Sequence, residues 1–129
     1  MKANLLLIDD SEVQSSQITE SLQRLGYAVQ RASTGAEGLR LAREKPPDLV
    51  LLDVVMPDID GLEFAERLNQ LRPGLPVIFC TGYTSAVEAL TDCGAMALMK
   101  PYSADVLERV IAERLQLARE YARPRLGGT

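Results

Sequence analysis

The chain predicts an α/β domain built on a parallel sheet, and three observations predict it. Short apolar runs alternate with segments of helical periodicity five times along the sequence. Glycine and proline punctuate the alternation at Gly26, Pro46-Pro47, Pro73-Gly74 and Gly94. The third apolar run, Leu49-Val50-Leu51-Leu52, has no polar side, as in a central strand covered on both faces.

The elements follow in order. Residues 4–8 form a short, nearly all-apolar run that reads as a buried strand. Ser11 is placed to cap a helix reaching about Leu25, with Ile18, Leu22 and Leu25 at helical spacing, and Gly26 ends it. Residues 27–31 make a more polar second strand, suited to a sheet edge. Ser33 or Thr34 opens a helix to about Glu44, with Ala36, Leu39 and Ala42 inward, and Pro46-Pro47 breaks it. Residues 48–52 are the third strand. A turn with Pro57 and Gly61 leads to a helix ending near Leu71 that turns Phe64, Ala65, Leu68 and Leu71 inward. Residues 76–80 are the fourth strand, 85–93 a short helix and 95–99 the fifth strand. Ser103 caps a last helix with Val106, Leu107, Val110, Ile111 and Leu115 on its inner face, ending before Pro124. Five such units imply right-handed crossovers with helices on both faces. Residues 1–122 read as one domain, and 123–129 as a flexible tail or the start of a linker.

Composition narrows the function. A chain of 129 residues, 47% hydrophobic and 25% charged, is long enough for one real core. A net charge of −4 argues against direct nucleic-acid binding. Two cysteines, Cys80 and Cys93, suggest neither a disulfide framework nor a zinc site and suit a reducing cytoplasm. They read as small packing residues, and Met96 and Met99 as filling. The run of residues 5–8 is too short for a signal peptide and ends in aspartates, and no stretch suits a membrane span. With no histidine in the chain, Ser-His and Cys-His catalysis, histidine metal sites and a histidine phosphodonor are excluded.

In an open α/β sheet, ligands bind beyond the carboxyl ends of the strands. The first strand ends at Asp9 and Asp10, the third at Asp53, the fourth at Thr81, and the fifth at Lys100-Pro101. Three carboxylates at one spot repel one another unless a cation neutralises them. A few oxygen ligands beside open space suit Mg2+, which keeps waters and shares phosphate oxygens; Mn2+ is a substitute. A lysine and a hydroxyl beside such an ion suit a phosphoryl group. The residues therefore read as a metal-assisted phosphoryl site with a carboxylate nucleophile. Taken singly, Asp9 or Asp10 fits a helix cap as well, Thr81 a turn and Lys100 a solvated strand end. Four coincidences at successive strand ends are what the bland reading would require.

Asp9-Asp10, Asp53-Val54-Val55-Met56-Pro57, Thr81-Gly82 and Lys100-Pro101, in that order and each at a strand end, resemble the signature of the receiver domain of two-component response regulators. The resemblance covers about residues 3–117. It implies a flavodoxin-like (βα)5 sheet of order 2-1-3-4-5. It also implies that Asp53 takes a phosphoryl group from a sensor histidine kinase or a histidine phosphotransfer protein. Asp10 would bind Mg2+ directly and Asp9 mainly through water, with Asp53 and the Val55 backbone carbonyl as further ligands. Thr81 would donate to a phosphoryl oxygen, Lys100 would pair with the phosphoryl group or with Asp53, and Pro101 would shape its loop, often through a cis peptide bond. The chemistry would be limited to self-catalysed phosphorylation and dephosphorylation, with no independent substrate turnover.

Two features depart from that pattern. Receivers usually carry Tyr or Phe three residues before the lysine, and here that residue is Ala97; Tyr83 and Tyr102 are the candidate replacements. The run Phe79-Cys80-Thr81-Gly82-Tyr83 with Leu98-Met99-Lys100-Pro101 resembles receivers attached to hybrid sensor kinases. The last helix is longer than a five-stranded sheet needs and offers a surface for a homodimer or an effector. A phosphorylation-independent pseudo-receiver is the competing reading, against which Asp10, Asp53, Thr81 and Lys100 all stand. A phosphohydrolase would want an acid-base carboxylate two residues beyond Asp53, where Val55 stands.

Overall fold

The computed structural model describes residues 2–54, 58–92 and 95–122. Val55, Cys93 and the proposed tail 123–129 lie outside the described residues. Ten elements alternate along the chain: β1 Asn4–Ile8, α1 Glu12–Arg24, β2 Ala28–Ala32, α2 Gly35–Glu44, β3 Leu49–Asp53, α3 Gly61–Leu71, β4 Val77–Thr81, α4 Thr84–Asp92, β5 Met96–Met99 and α5 Ala104–Ala122. All pairings are parallel and the strand order is β2-β1-β3-β4-β5. The polar second strand is at an edge, as its sequence requires, and the four wholly buried residues of β3 are central.

Alternation along the strands divides the core in two. Leu5, Leu7, Leu49, Leu51, Ile78 and Cys80 face Leu22 of α1 and Leu107, Ile111 and Leu115 of α5. Leu6, Ile8, Val50, Leu52 and Phe79 face Ala42 of α2, Phe64 and Leu68 of α3 and Leu90 of α4. The sheet is thus covered by two helices on one side and three on the other.

Local chemistry sets the helix ends. Gly26 follows α1 at φ +100°, a conformation that glycine adopts without strain. Thr34, not Ser33, caps α2: its hydroxyl accepts from the Glu37 amide at 3.2 Å. Asp60 caps α3 by accepting from the Leu62 and Glu63 amides, and Ser103 accepts from the Val106 amide at the start of α5. Ser11 occupies the cap position of α1 but makes no side-chain cap bond. The Ser11 amide donates to the Asp9 carboxylate at 2.8 Å.

Three inward assignments need correction. Ala36 is exposed, because α2 turns Gly35, Gly38 and Ala42 to the sheet. Those small residues are needed there: a Cβ on Gly38 would stand 2.7 Å from Ile8 Cδ1 and 3.1 Å from Phe64 Cζ. Val106, one residue ahead of the Leu107-Ile111-Leu115 stripe, is 41% exposed. Leu71, the last residue of α3, is 39% exposed.

Phe64 fills the space that Gly38 leaves and is fully buried. Phe64→Ala is expected to cost about 3–5 kcal/mol in urea unfolding, whereas Leu62→Ala, two residues away and exposed, should stay within about 0.5 kcal/mol.

Candidate functional site

Parallel register brings the strand ends level. Ile8 stands beside Leu52, Asp53 beside Cys80, and Thr81 beside Met99. The residues that end or follow these strands therefore converge on one rim. One carboxylate oxygen from each of Asp9, Asp10 and Asp53 lies within 4.8 Å of the others. Asp9 is buried, Asp53 half-buried and Asp10 exposed, so the cluster opens to solvent on the Asp10 side.

Lys100 supplies the compensating charge. Its Nζ lies 3.0 Å from Asp9 Oδ2 and 3.4 Å from Asp53 Oδ2. The side chains of Lys100 and Asp9 are only 18% and 3% exposed, so solvent screens this pair weakly. Burial pulls the lysine's pKa down, but the hydrogen bond to Asp9 and the charges of Asp53 and Asp9 outweigh it, and the net shift is upward. The ammonium form is therefore the one held in the site. Its backbone is fixed as well: the Lys100 amide donates to the Thr81 carbonyl at 2.7 Å, and the Lys100–Pro101 peptide is cis.

Thr81 is buried at the end of β4, and its hydroxyl accepts from the Tyr83 amide at 3.2 Å. Tyr83 itself is 65% exposed. Ala97 pairs with Phe79 and packs on the side of α2, α3 and α4. Tyr102 packs on the opposite side, with α1 and α5, beside Cys80. Burial pushes the Cys80 thiol up to about 12 and raises the Tyr102 hydroxyl too. Cys80 is thus a packing residue, protonated at neutral pH.

The structure brings Asp9, Asp10, Asp53 and Lys100 into one cluster and places Thr81, Pro101 and Tyr83 around it. The Val55 carbonyl falls outside the described residues. One neighbour escaped the sequence reading: Gln14 Oε1 lies 3.5 Å from Lys100 Nζ. Its place in the first turn of α1, directly after the Asp9-Asp10 strand end, was the available signal. The donor set fits Mg2+ in kind. All three donors are carboxylate oxygens, and a spread of up to 4.8 Å exceeds only slightly the roughly 4 Å between trans ligands of a six-coordinate Mg2+.

A βα domain with an acidic triad and a lysine at the carboxyl rim of its sheet belongs to the class that handles phosphoryl groups beside a divalent cation. A family model, "Response regulator receiver domain", matches residues 5–112. The chain belongs to the receiver domain family of response regulators, the phosphorylation-based modules of two-component signalling. It is 34% identical over 117 residues to the transcriptional regulatory protein ZraR of Klebsiella oxytoca, covering 88% of this chain and 26% of that protein. It is 34% identical over 122 residues to the response regulator MprA of Mycobacterium sp. (strain KMS), covering 92% of this chain and 52% of that protein. The chain thus spans between about a quarter and about half of these curated relatives. A CheY-like receiver domain protein from Methanospirillum hungatei JF-1 superposes with a TM-score of 0.83 at 30% identity, over 92% of this chain and 98% of that one.

The upward shift of Lys100 predicts an alkaline limb. A lysine whose folded pKa exceeds its unfolded 10.5 contributes stability that is complete below that value. The contribution is lost as pH rises through the higher folded value. The stability difference between wild type and Lys100→Met, read from urea midpoints, should therefore hold up to about pH 10.5 and shrink above it.

Proposed function

We propose that Asp53 is the phosphoryl acceptor of this receiver, loaded by a sensor histidine kinase or a histidine phosphotransfer protein in the cytoplasm. The observation that carries the reading is the triad of carboxylate oxygens within 4.8 Å, bridged on two members by the Lys100 ammonium at 3.0 and 3.4 Å. Asp10, exposed at the open side, would hold Mg2+ directly and Asp9 mainly through water, with Asp53 and the Val55 carbonyl completing the protein's ligands. When bound, the ion neutralises the acids and the charged phosphoryl oxygens.

Asp53 acts as the nucleophile: its carboxylate oxygen bonds to phosphorus as the bond from phosphorus to the donor's imidazole nitrogen breaks. That nitrogen keeps the electron pair. Lys100 moves its contact from the Asp53 carboxylate to a phosphoryl oxygen, and the Thr81 hydroxyl donates to another. Because Thr81 Oγ1 accepts from the Tyr83 amide, a change at Thr81 is passed to the start of α4. Tyr83, joined to Thr81 in this way, is the aromatic better placed to replace the one absent at Ala97. Tyr102 lies across the sheet from Ala97. A homodimer through α5 is a compatible assembly, since Val106 and Leu117 are both about two-fifths exposed on it.

With Mg2+ and acetyl phosphate or beryllofluoride, wild type is expected to form one adduct by intact mass or fluorine NMR, and Asp53→Asn none. Asp10→Asn should abolish the Mg2+-induced rise in Tm while raising the metal-free Tm, because one repelling carboxylate is removed. An unmodified wild type would support the pseudo-receiver, and continuous phosphate release a hydrolase.

Neither Val55 nor Tyr83, each two residues beyond a site residue, offers an acid or amide to position an attacking water. The acyl phosphate should therefore persist for hours after the donor is removed. Tyr83→Ala should shorten that lifetime and diminish phosphorylation-dependent amide shifts along α4. Rapid loss from wild type without a phosphatase would refute this.

A further inference from the structure

After Asp53, Val54 and Gly61 are joined to each other. The Val54 amide donates to the Cys80 carbonyl at 3.2 Å, and the Gly61 amide donates to the Val54 carbonyl at 3.2 Å. The closure is tight enough that a Cβ on Gly61 would stand 2.8 Å from that carbonyl oxygen. Within the segment, the Asp58 carboxylate reaches a different helix. Its Oδ1 accepts from the Gly35 amide at 2.8 Å and its Oδ2 from the Ala36 amide at 3.0 Å. These are the first two residues of α2, whose amides have no partner within the helix. A carboxylate is favoured at that positive end. The neighbouring Ile59 presses on the same place: a Cβ on Gly35 would stand 2.3 Å from Ile59 Cγ2.

The other end of this connection leads back to the acidic cluster. Just before α2, the Ala32 carbonyl accepts from the Asp9 amide at 3.1 Å. Described contacts therefore run from Asp9 through Ala32 and the start of α2 to Asp58, and nearby Gly61 holds the carbonyl of Val54, the residue after Asp53. They join the two sides of the carboxylate triad in addition to the β1–β3 pairing and the Lys100 bridge.

We infer that Asp58 is a positioning residue for the metal site: by strapping the segment after Asp53 to the start of α2, it sets the gap between Asp53 and the Asp9-Asp10 pair. The inference rests on the metal-dependent reading above and adds a residue to it. Asp58 touches neither metal nor phosphoryl group. It acts as outer-shell partners do, by holding the ligands' spacing so that binding does not have to create it.

The test compares Asp58→Ala and Asp58→Asn with Thr34→Ala, which removes the other side-chain cap of α2 without touching the segment after Asp53. Mg2+ is titrated into each protein and followed by amide NMR, and hydrogen exchange is measured without metal. Asp58→Ala is expected to weaken Mg2+ binding about tenfold, the lower end for outer-shell losses, with Asp58→Asn in between because it retains one acceptor. The amides of Asp9, Val54 and Gly61 should exchange faster in the Asp58 variants only. Should Asp58→Ala not fold, Asp58→Asn carries the comparison. The inference is overturned if the Asp58 variants match wild type in Mg2+ affinity and exchange, or if Thr34→Ala weakens binding equally, which would make helix fraying the cause. A wild type that ignores Mg2+ would sink the metal reading alone, and faster exchange at Asp9 and Val54 would still decide the strap.

Discussion

Three carboxylates held at one rim of a sheet are an electrostatic load, and the arrangement of this domain follows from how that load is carried. Asp9 is almost fully buried and Asp53 is partly so, and carboxylates crowded away from water call for a cation close by. Lys100 is that cation in the protein itself, 3.0 and 3.4 Å away. It can reach both acids because β5 is held to β4 and its last turn is fixed by the bond from the Lys100 amide to the Thr81 carbonyl. The same arrangement suits an exchange of partners. In the proposed function a bound divalent ion would relieve the acids, and a phosphoryl group on Asp53 would give Lys100 new oxygens to pair with. The compensation is tight but transferable, as a switch requires.

The two faces of the sheet divide the remaining work. On the side of α1 and α5, the buried Cys80 and the half-buried Tyr102 lie together, and both resist ionisation. On the other side, Ala97 leaves the place of an aromatic unfilled in chemical type, and Thr81 is tied to Tyr83 at the start of α4. The glycines of α2 allow Ile8, Ile59 and Phe64 to pack closely against it. The start of α2 is thereby brought near enough for Asp58 to reach it. Small residues on one helix thus determine whether a carboxylate on a distant loop can hold the acidic cluster in register.

Much of this was legible beforehand. The strands could be read because burial on both faces requires continuous apolar runs, and Leu49 to Leu52 fit no other role. The site could be read because parallel strands deliver their carboxyl ends to one rim, so Asp9, Asp10, Asp53, Thr81 and Lys100 could be grouped from strand ends alone. Helix faces were less legible. Ala36 and Val106 have the apolar character of core residues, yet helical rotation relative to a particular sheet surface decides which of several apolar positions is buried. Ser11 has the chemistry of a cap and stands at the cap position, yet its side chain makes no cap bond, while its own amide donates to the Asp9 carboxylate.

By itself, then, the sequence determined the alternation of elements, the central place of β3, the edge place of β2 and the family of chemistry at the rim, since each depends on local pattern or on strand direction. Only the tertiary structure decided that Lys100 bridges Asp9 and Asp53, that Gln14 stands beside it, that Tyr102 and Ala97 lie on opposite faces, and that Asp58 reaches α2. These are contacts between residues from 22 to 91 positions apart, apart from the local offset between Ala97 and Tyr102. They depend on distances across the sheet and between helices, which no local periodicity encodes.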